Sequence, residues 1–210
     1  MPSAEPRRGR LGPTGLARVV AAVVDINTTY ARRHAVGAGT GIVVDPNGLV
    51  LTNNHVVEGA SAISVTDIGN GRTYRASVLG YNTAHDIAVV HLRDASRLAT
   101  APLGDSSAVA VGDRVTAIGN AVPPARAAGT VIGLNQMVSA ADDLTRRPER
   151  LTGMIQIAAQ LLPGDSGGPL VNSIGQVIGI DTAASDPVGG TPRGRGFAIP
   201  IDEALQIAKL

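Results

Sequence analysis

Short runs rich in valine and isoleucine, each closed by a glycine, proline or asparagine corner, fill most of this 210-residue chain. The run "GIVV" at 41–44 meets the corner "DPNG" and then "LVLT" at 49–52, with Pro46 at the second turn position and Gly48 at the fourth. Similar runs follow at 62–66, 72–79, 87–92, 114–119, 130–134, 154–158, 169–172, 176–180 and 196–201, with further turn signals at 69–71 and 173–176. Runs of this length are too short for ordinary helices, and their spacing argues an all-β barrel or sandwich. Helical periodicity is convincing only near the ends, around 15–24 and in "IDEALQIAKL" at 201–210.

Composition narrows the function classes. Hydrophobic residues make up 44% and charged residues 17% of the chain, a globular balance. A formal charge of +1 gives no footprint for nucleic acid, and three Tyr, one Phe and no Trp leave no stacking platform for single strands. The chain has no cysteine, which excludes disulfides, thiol nucleophiles and cysteine zinc sites. No apolar run is long enough to span a bilayer. The start of the chain has Arg7, Arg8 and Arg10 before apolar residues, but Pro13, Gly15 and Arg18 break the stretch. It reads as a flexible tail over 1–15 leading into a short helix capped by Thr14.

Two halves are expected. "GTGIVVDPNGLVL" and "GGPLVNSIGQVIG" echo one another, and strand patterning lapses over 93–112. We read a first β unit over 16–100, a second over 101–200 and a terminal helix over 201–210. The charge cluster at 140–150 and the Gly/Pro-rich stretch at 185–196 read as surface loops.

The stretch "LLPGDSGGPL" at 161–170 sets Ser166 among three glycines. A serine hydroxyl is a poor nucleophile until a base takes its proton, and that base is commonly a histidine oriented by a carboxylate. The four histidines, His34, His55, His85 and His91, all precede Ser166. The "GDSGG" string matches the nucleophile elbow of α/β-hydrolases, but that fold needs its histidine after the serine. An Asp-His-Ser order could draw on Asp25 or Asp45, but the alternating helices of that scaffold are missing. The order His, Asp, Ser on β-barrels remains. His55 ends an apolar strand and Asp86 opens another, whereas His34, His85 and His91 read as surface or core residues.

"TNNHVV", "HDIAVV" and "PGDSGGPLV", in that order, resemble the three catalytic motifs of trypsin-like serine proteases. "GTGIVVDPNGLVLTNNHVV" is similar to the bacterial HtrA/Deg branch in particular, and the resemblance extends over roughly 19–208. It implies two six-stranded Greek-key antiparallel β-barrels, with the site in the cleft between them. The first barrel would supply His55 and Asp86, the second Ser166. By the same resemblance, Ser166 attacks the peptide carbonyl, His55 shuttles the proton and Asp86 orients His55. The oxyanion hole lies along Gly164, Asp165 and Ser166, with the N–H groups of Gly164 and Ser166 as donors. The specificity pocket is expected near Gln160 and Leu161 at its base and Ala183, Ala184 and Ser185 along its wall. No carboxylate sits at those places, so small or medium aliphatic residues are expected before the scissile bond.

The resemblance implies no cofactor and no metal. It implies unfolded or flexible protein and peptide substrates, an extracytoplasmic role in protein quality control, and trimers, which family members often form. PDZ domains usually follow the protease domain in HtrA proteins, and none is read in these 210 residues. Two departures stand out. Ala158 replaces an acidic residue usual in HtrA relatives, and Asp165 has no zymogen-type N-terminus to pair with, so another partner or solvent is expected for it. The rival reading is a catalytically silent peptide-binding or chaperone-like protein on the same fold. It would be marked by loss of a triad residue, and Ala158 is its only support.

Overall fold

In a computed structural model the structure describes residues 13–31, 34–119, 125–141, 148–182 and 194–209. Among the described residues, twelve strands close into two barrels. The first contains β1 (Val23–Tyr30), β2 (Ala35–Asp45), β3 (Leu49–Thr52), β4 (Ala62–Asp67), β5 (Thr73–Asn82) and β6 (Ile87–Leu92). The second contains β7 (Arg114–Ile118), β8 (Arg126–Ala141), β9 (Pro148–Ile157), β10 (Pro169–Asn172), β11 (Val177–Thr182) and β12 (Gly196–Pro200). Around the first barrel the order is β1-β2-β3-β6-β5-β4, and around the second β7-β8-β9-β12-β11-β10, with antiparallel pairing throughout. Adding six to each strand number of the first barrel gives the second. Closure leaves neither sheet an unpaired edge.

The expected internal echo does not follow this symmetry. It links β2–β3 with β10–β11, whereas the equivalent of β2–β3 is β8–β9. The shared letters record a common turn-and-strand chemistry and not a shared place in the barrel.

A second difference lies at the start. The helix expected around 15–24 is α1 (Pro13–Val20), and Val23 already belongs to β1. The run "VVAAVV" at 19–24 is apolar throughout, so its period cannot separate helix from strand. Both of its ends are buried: Val19, Ala22, Val23 and Val24 are all fully covered. The charged stretch at 140–150 also differs from a simple loop, because β8 runs to Ala141 and β9 begins at Pro148.

Two features join the barrels. The segment between β6 and β7 is stitched to both: Leu98 N donates to Pro46 O and Ala101 N to Val43 O on one side, while Gly104 N and Val177 N bond across to Val177 O and Pro102 O on the other. The terminal helix α3 (Ile201–Ala208) follows β12 of the second barrel, yet Ile201 and Ala204 are buried in the cluster that holds the first barrel's core. Alternation on β10 and β12 serves both sides. Leu170 and Ala198 pack with the second core, while Val171, Phe197 and Ile199 pack with the first core and α3. Each of the larger side chains, fully buried, contributes about 1.5–3 kcal/mol. The barrels are thereby fixed against each other, and their seam is a firm place on which to build a site.

Candidate active site

At the end of β3 the chain leaves the barrel through Asn53 into a single helical turn, α2 (Asn54–Val57). Val56 and Val57 are buried and anchor the turn, which leaves the His55 side chain one-third exposed at the seam. Asp86 precedes β6, directly after a 3-10 turn at Thr83–His85, and its backbone is left-handed (φ 52°, ψ 42°). That conformation is sparse for non-glycine residues. Asp86 is 2% exposed, and donors surround it. His55 N donates to Oδ1 at 3.0 Å, and His55 Nδ1 lies 2.8 Å from Oδ2. The Asp86 carbonyl accepts from Asn53 Nδ2 at 3.0 Å and Asn54 N at 3.1 Å. A carboxylate on Nδ1 selects the tautomer that carries its proton there, which leaves Nε2 as the basic nitrogen.

The serine loop enters from the second barrel and is gripped by β2. Thr40 N donates to Ser166 O at 2.8 Å, and Thr40 Oγ1 donates to Gly164 O at 2.7 Å. Thr52 Oγ1 donates to Thr40 O at 2.6 Å, so the strand that leads to His55 also braces the loop that carries Ser166. Gly164 and Gly167 have φ of +99° and +88°, a region that side chains disfavour. A Cβ on Gly167 would lie 2.0 Å from Thr40 O and 2.3 Å from Thr52 Oγ1, so a side chain there would wedge the barrels apart. The turn chemistry and the setting of Ser166 are therefore one feature. Across the seam, Thr182 Oγ1 makes a long 3.5 Å contact to Asp86 Oδ2 from β11.

The description "Trypsin-like peptidase domain" matches residues 39–180. The chain belongs to the trypsin-like peptidase family, in its HtrA branch. It is 41% identical over 163 residues to the periplasmic serine endoprotease DegP of Salmonella typhimurium, covering 77% of this chain and 33% of that protein. It is 40% identical over 170 residues to the chloroplastic Protease Do-like 1 of Arabidopsis thaliana, covering 79% of this chain and 37% of that protein. Among solved structures, the HtrA-type protease AlgW with a tripeptide superposes with a TM-score of 0.77 at 32% identity, over 93% of this chain and 61% of that one. The chain thus spans well under half the length of these two curated relatives.

The family's oxyanion donors can be compared with this HtrA-like loop. Asp165 N donates to Leu162 O at 3.0 Å and is thereby engaged, while Gly164 N makes no hydrogen bond among the described residues. Asp165 does not face solvent: it is 7% exposed, and Oδ2 accepts from Leu162 N at 2.8 Å. Its other oxygen lies against Gly119, where a Cβ would come within 1.6 Å of it. Of the expected pocket residues, Gln160 is exposed, and Leu161 is half-buried against Gly196, whose Cβ position would lie 2.7 Å from Leu161 Cγ. Ala183, Ala184 and Ser185 lie outside the described residues. Ala158 is exposed, and its N–H donates to Thr130 O at 2.8 Å as a continuation of the β8–β9 ladder. The missing acidic side chain therefore leaves no buried hole. His34 is exposed and His91 is half-buried in β6, as their surface or core reading requires.

Several residues at the seam escaped the sequence reading: Thr40, Asn53, Thr182, Gly196 and above all Asp181. A charge inside the apolar run "VIGIDT" was the available signal. Asp181 is fully buried, and among the described residues neither carboxyl oxygen has a hydrogen-bond partner. Burial first, then the nearby Asp165 carboxyl, push it well above the ordinary aspartate range, with the Ile118 backbone acting in the opposite direction. Burial also raises Asp165, against the Leu162 N–H. On β1, opposite Thr40 in the ladder, Asp25 has one oxygen buried without a partner, and burial pushes it up to about 6. Among the described residues no three His, Asp or Glu side chains gather as a metal site, and no helix is long and apolar enough to cross a membrane.

Proposed function

We propose that this chain is a serine endopeptidase domain that hydrolyses peptide bonds through an acyl-enzyme on Ser166. The observation that carries the reading is the double hold of Asp86 on His55, through the backbone N–H and Nδ1 together, in a turn that faces the serine loop across Thr40. Ser166 Oγ attacks the carbonyl carbon of the peptide while His55 Nε2 takes its proton. The oxyanion develops toward the N–H groups of Gly164 and Ser166, a type of contact worth about 2.7–4 kcal/mol per donor in the transition state. The imidazolium, stabilised by Asp86, gives its proton to the leaving amine. Water then attacks the ester, with His55 again as base, and frees the acid and the serine.

The pocket stretch favours aliphatic residues before the scissile bond, because Leu161 and Gly196 present an apolar wall. Kinship with a periplasmic endoprotease supports polypeptide substrates and an extracytoplasmic location; unfolded substrates and a quality-control role rest on the resemblance to the HtrA/Deg branch alone. The silent peptide-binding reading has no specific observation in its favour, because position 158 is exposed and distant in role from the hydrogen bonds that hold the triad. The test pairs covalent labelling with substrate turnover. A fluorophosphonate is expected to add once, at Ser166, and Ser166→Ala is expected to remain folded but lose casein digestion. Digestion by Ser166→Ala at the wild-type rate would overturn the assignment.

A further inference from the structure

Asp86 must be held in a left-handed turn whose own closing bond, Asp86 N to Thr83 O, is long at 3.3 Å. On its inner side the turn is held by the His55 and Asn53 contacts described above. Its outer side meets a helix from the far end of the chain. The residue before Asp86 is His85, and its Nδ1 is in contact with Glu203 Oε1. Glu203 lies in the first turn of α3, beside Asp202, and the two carboxylates tie that turn to two different segments. Asp202 Oδ2 accepts from Ser106 N at 2.8 Å and Ser106 Oγ at 2.6 Å, which fixes the helix to the segment between the barrels. Glu203 is then free of that duty and reaches the turn that presents Asp86. The His85 ring is 45% exposed and the Glu203 side chain 29%, so neither fills a core. A partly exposed pair of this kind contributes little to global stability, and its value lies in where it holds the chain.

We propose that His85 and Glu203 are positioning residues for the triad, clamping the Thr83–His85 turn so that Asp86 keeps its carboxylate on His55. The inference rests on the reading of Ser166, His55 and Asp86 as the catalytic triad. Without the clamp the turn can relax out of the left-handed conformation, and the carboxylate leaves Nδ1. His55 then loses tautomer control, and its imidazolium loses its partner. Peptide binding uses none of these groups, so the effect falls on kcat and spares KM.

The experiment compares Glu203→Ala, Glu203→Gln, His85→Ala, the His85→Ala/Glu203→Ala double variant and Ser106→Ala with wild type, using kcat, KM, the pH profile of kcat/KM and Tm. Glu203→Ala is expected to lower kcat on the order of tenfold with KM unchanged, a loss of about 1.4 kcal/mol in transition-state stabilisation. Glu203→Gln, which still accepts from Nδ1–H, should stay close to wild type. The acid limb of kcat/KM should move to lower pH in Glu203→Ala, because a less stabilised imidazolium loses its proton more readily. The double variant should be no worse than either single one. If Glu203→Ala does not fold, His85→Ala carries the same expectations. The proposal is overturned if both alanine variants keep wild-type kcat and acid limb. It is equally overturned if their losses track Tm and are matched by Ser106→Ala, which loosens α3 without touching His85. Ser166→Ala is run alongside. If Ser166→Ala is inactive while Glu203→Ala is unimpaired, only the clamp falls; if Ser166→Ala stays active, the triad itself falls.

Discussion

Asp86 in the first barrel and Asp181 in the second are both removed from water at the seam, but their surroundings differ. Asp86 is met by the backbone N–H and Nδ1 of His55, with Thr182 Oγ1 at the edge of contact. Asp181, the residue before Thr182 on the same strand, presents two oxygens that bond to nothing among the described residues, with a second carboxyl, Asp165, nearby. Neighbouring positions on β11 project to opposite faces. One therefore turns its hydroxyl toward Asp86 at 3.5 Å, and the other buries an acid behind the serine loop. Donors can keep a buried carboxylate charged and oriented, whereas a carboxyl with no donor is held by its proton. An unsatisfied buried polar group costs about 1–3 kcal/mol, so the comparison separates an aspartate whose carboxylate is satisfied from one that burdens the fold.

The sharpest way to break the comparison is to remove charge from each aspartate in turn. Asp86→Asn keeps the shape but reverses hydrogen-bond polarity toward Nδ1, and kcat should fall roughly 10⁴-fold. A melting curve close to that of the wild type, measured beside the kinetics, would place the loss in orientation and not in folding. Asp181→Asn should act in the opposite sense. The raised carboxyl favours the protonated folded state, so its contribution is fully present below the ordinary aspartate range and is lost as pH rises through the folded value. The neutral amide should therefore raise Tm most at neutral pH, by about 2–4 °C for each kcal/mol recovered, and the gain should shrink toward about pH 4. Melts of both proteins across that range check the sign, and an equal gain at every pH would remove protonation from the account.

Asp25 gives the smallest expected effect, because only one of its oxygens is buried without a partner. Its folded value of about 6 lies above the ordinary 3.8, so wild-type stability should fall between about pH 4 and pH 6 and then level. Asp25→Asn should flatten that segment, with a Tm gain above pH 6 that is smaller than the gain of Asp181→Asn. A gain that kept growing above pH 7 would point to another group.

What could be read from the letters follows the range of the interactions. His55, Asp86 and Ser166 each sit in a local motif, with strand and turn chemistry written into the few residues around it. The strand-rich fold, and the three motifs on which the proposed triad rests, were legible for that reason. The start of β1 was hidden because the apolar letters of α1 run on through Val23 and Val24 with no break in the pattern to mark where helix gives way to strand. Thr40 and Asn53 were hidden because their work lies in bonds to residues 124 and 33 positions away. Glu203 and His85 are separated by 118 positions and resemble ordinary surface residues until the helix is folded back. Asp181 could have been flagged by its charge, but its lack of a donor is a property of the folded seam alone.

The path of α3 also bears on how the protein comes into being. During synthesis the first barrel's strands are complete long before Ile201 and Ala204, the residues that help seal its core, leave the ribosome. The half made first must wait for that helix before its surface is covered, and His85, the neighbour of Asp86, meets the Glu203 carboxylate only then. A nascent chain interrupted anywhere before that helix would carry His55 and Asp86 without the Glu203 contact, so under the proposed clamp full activity would wait until this region is made.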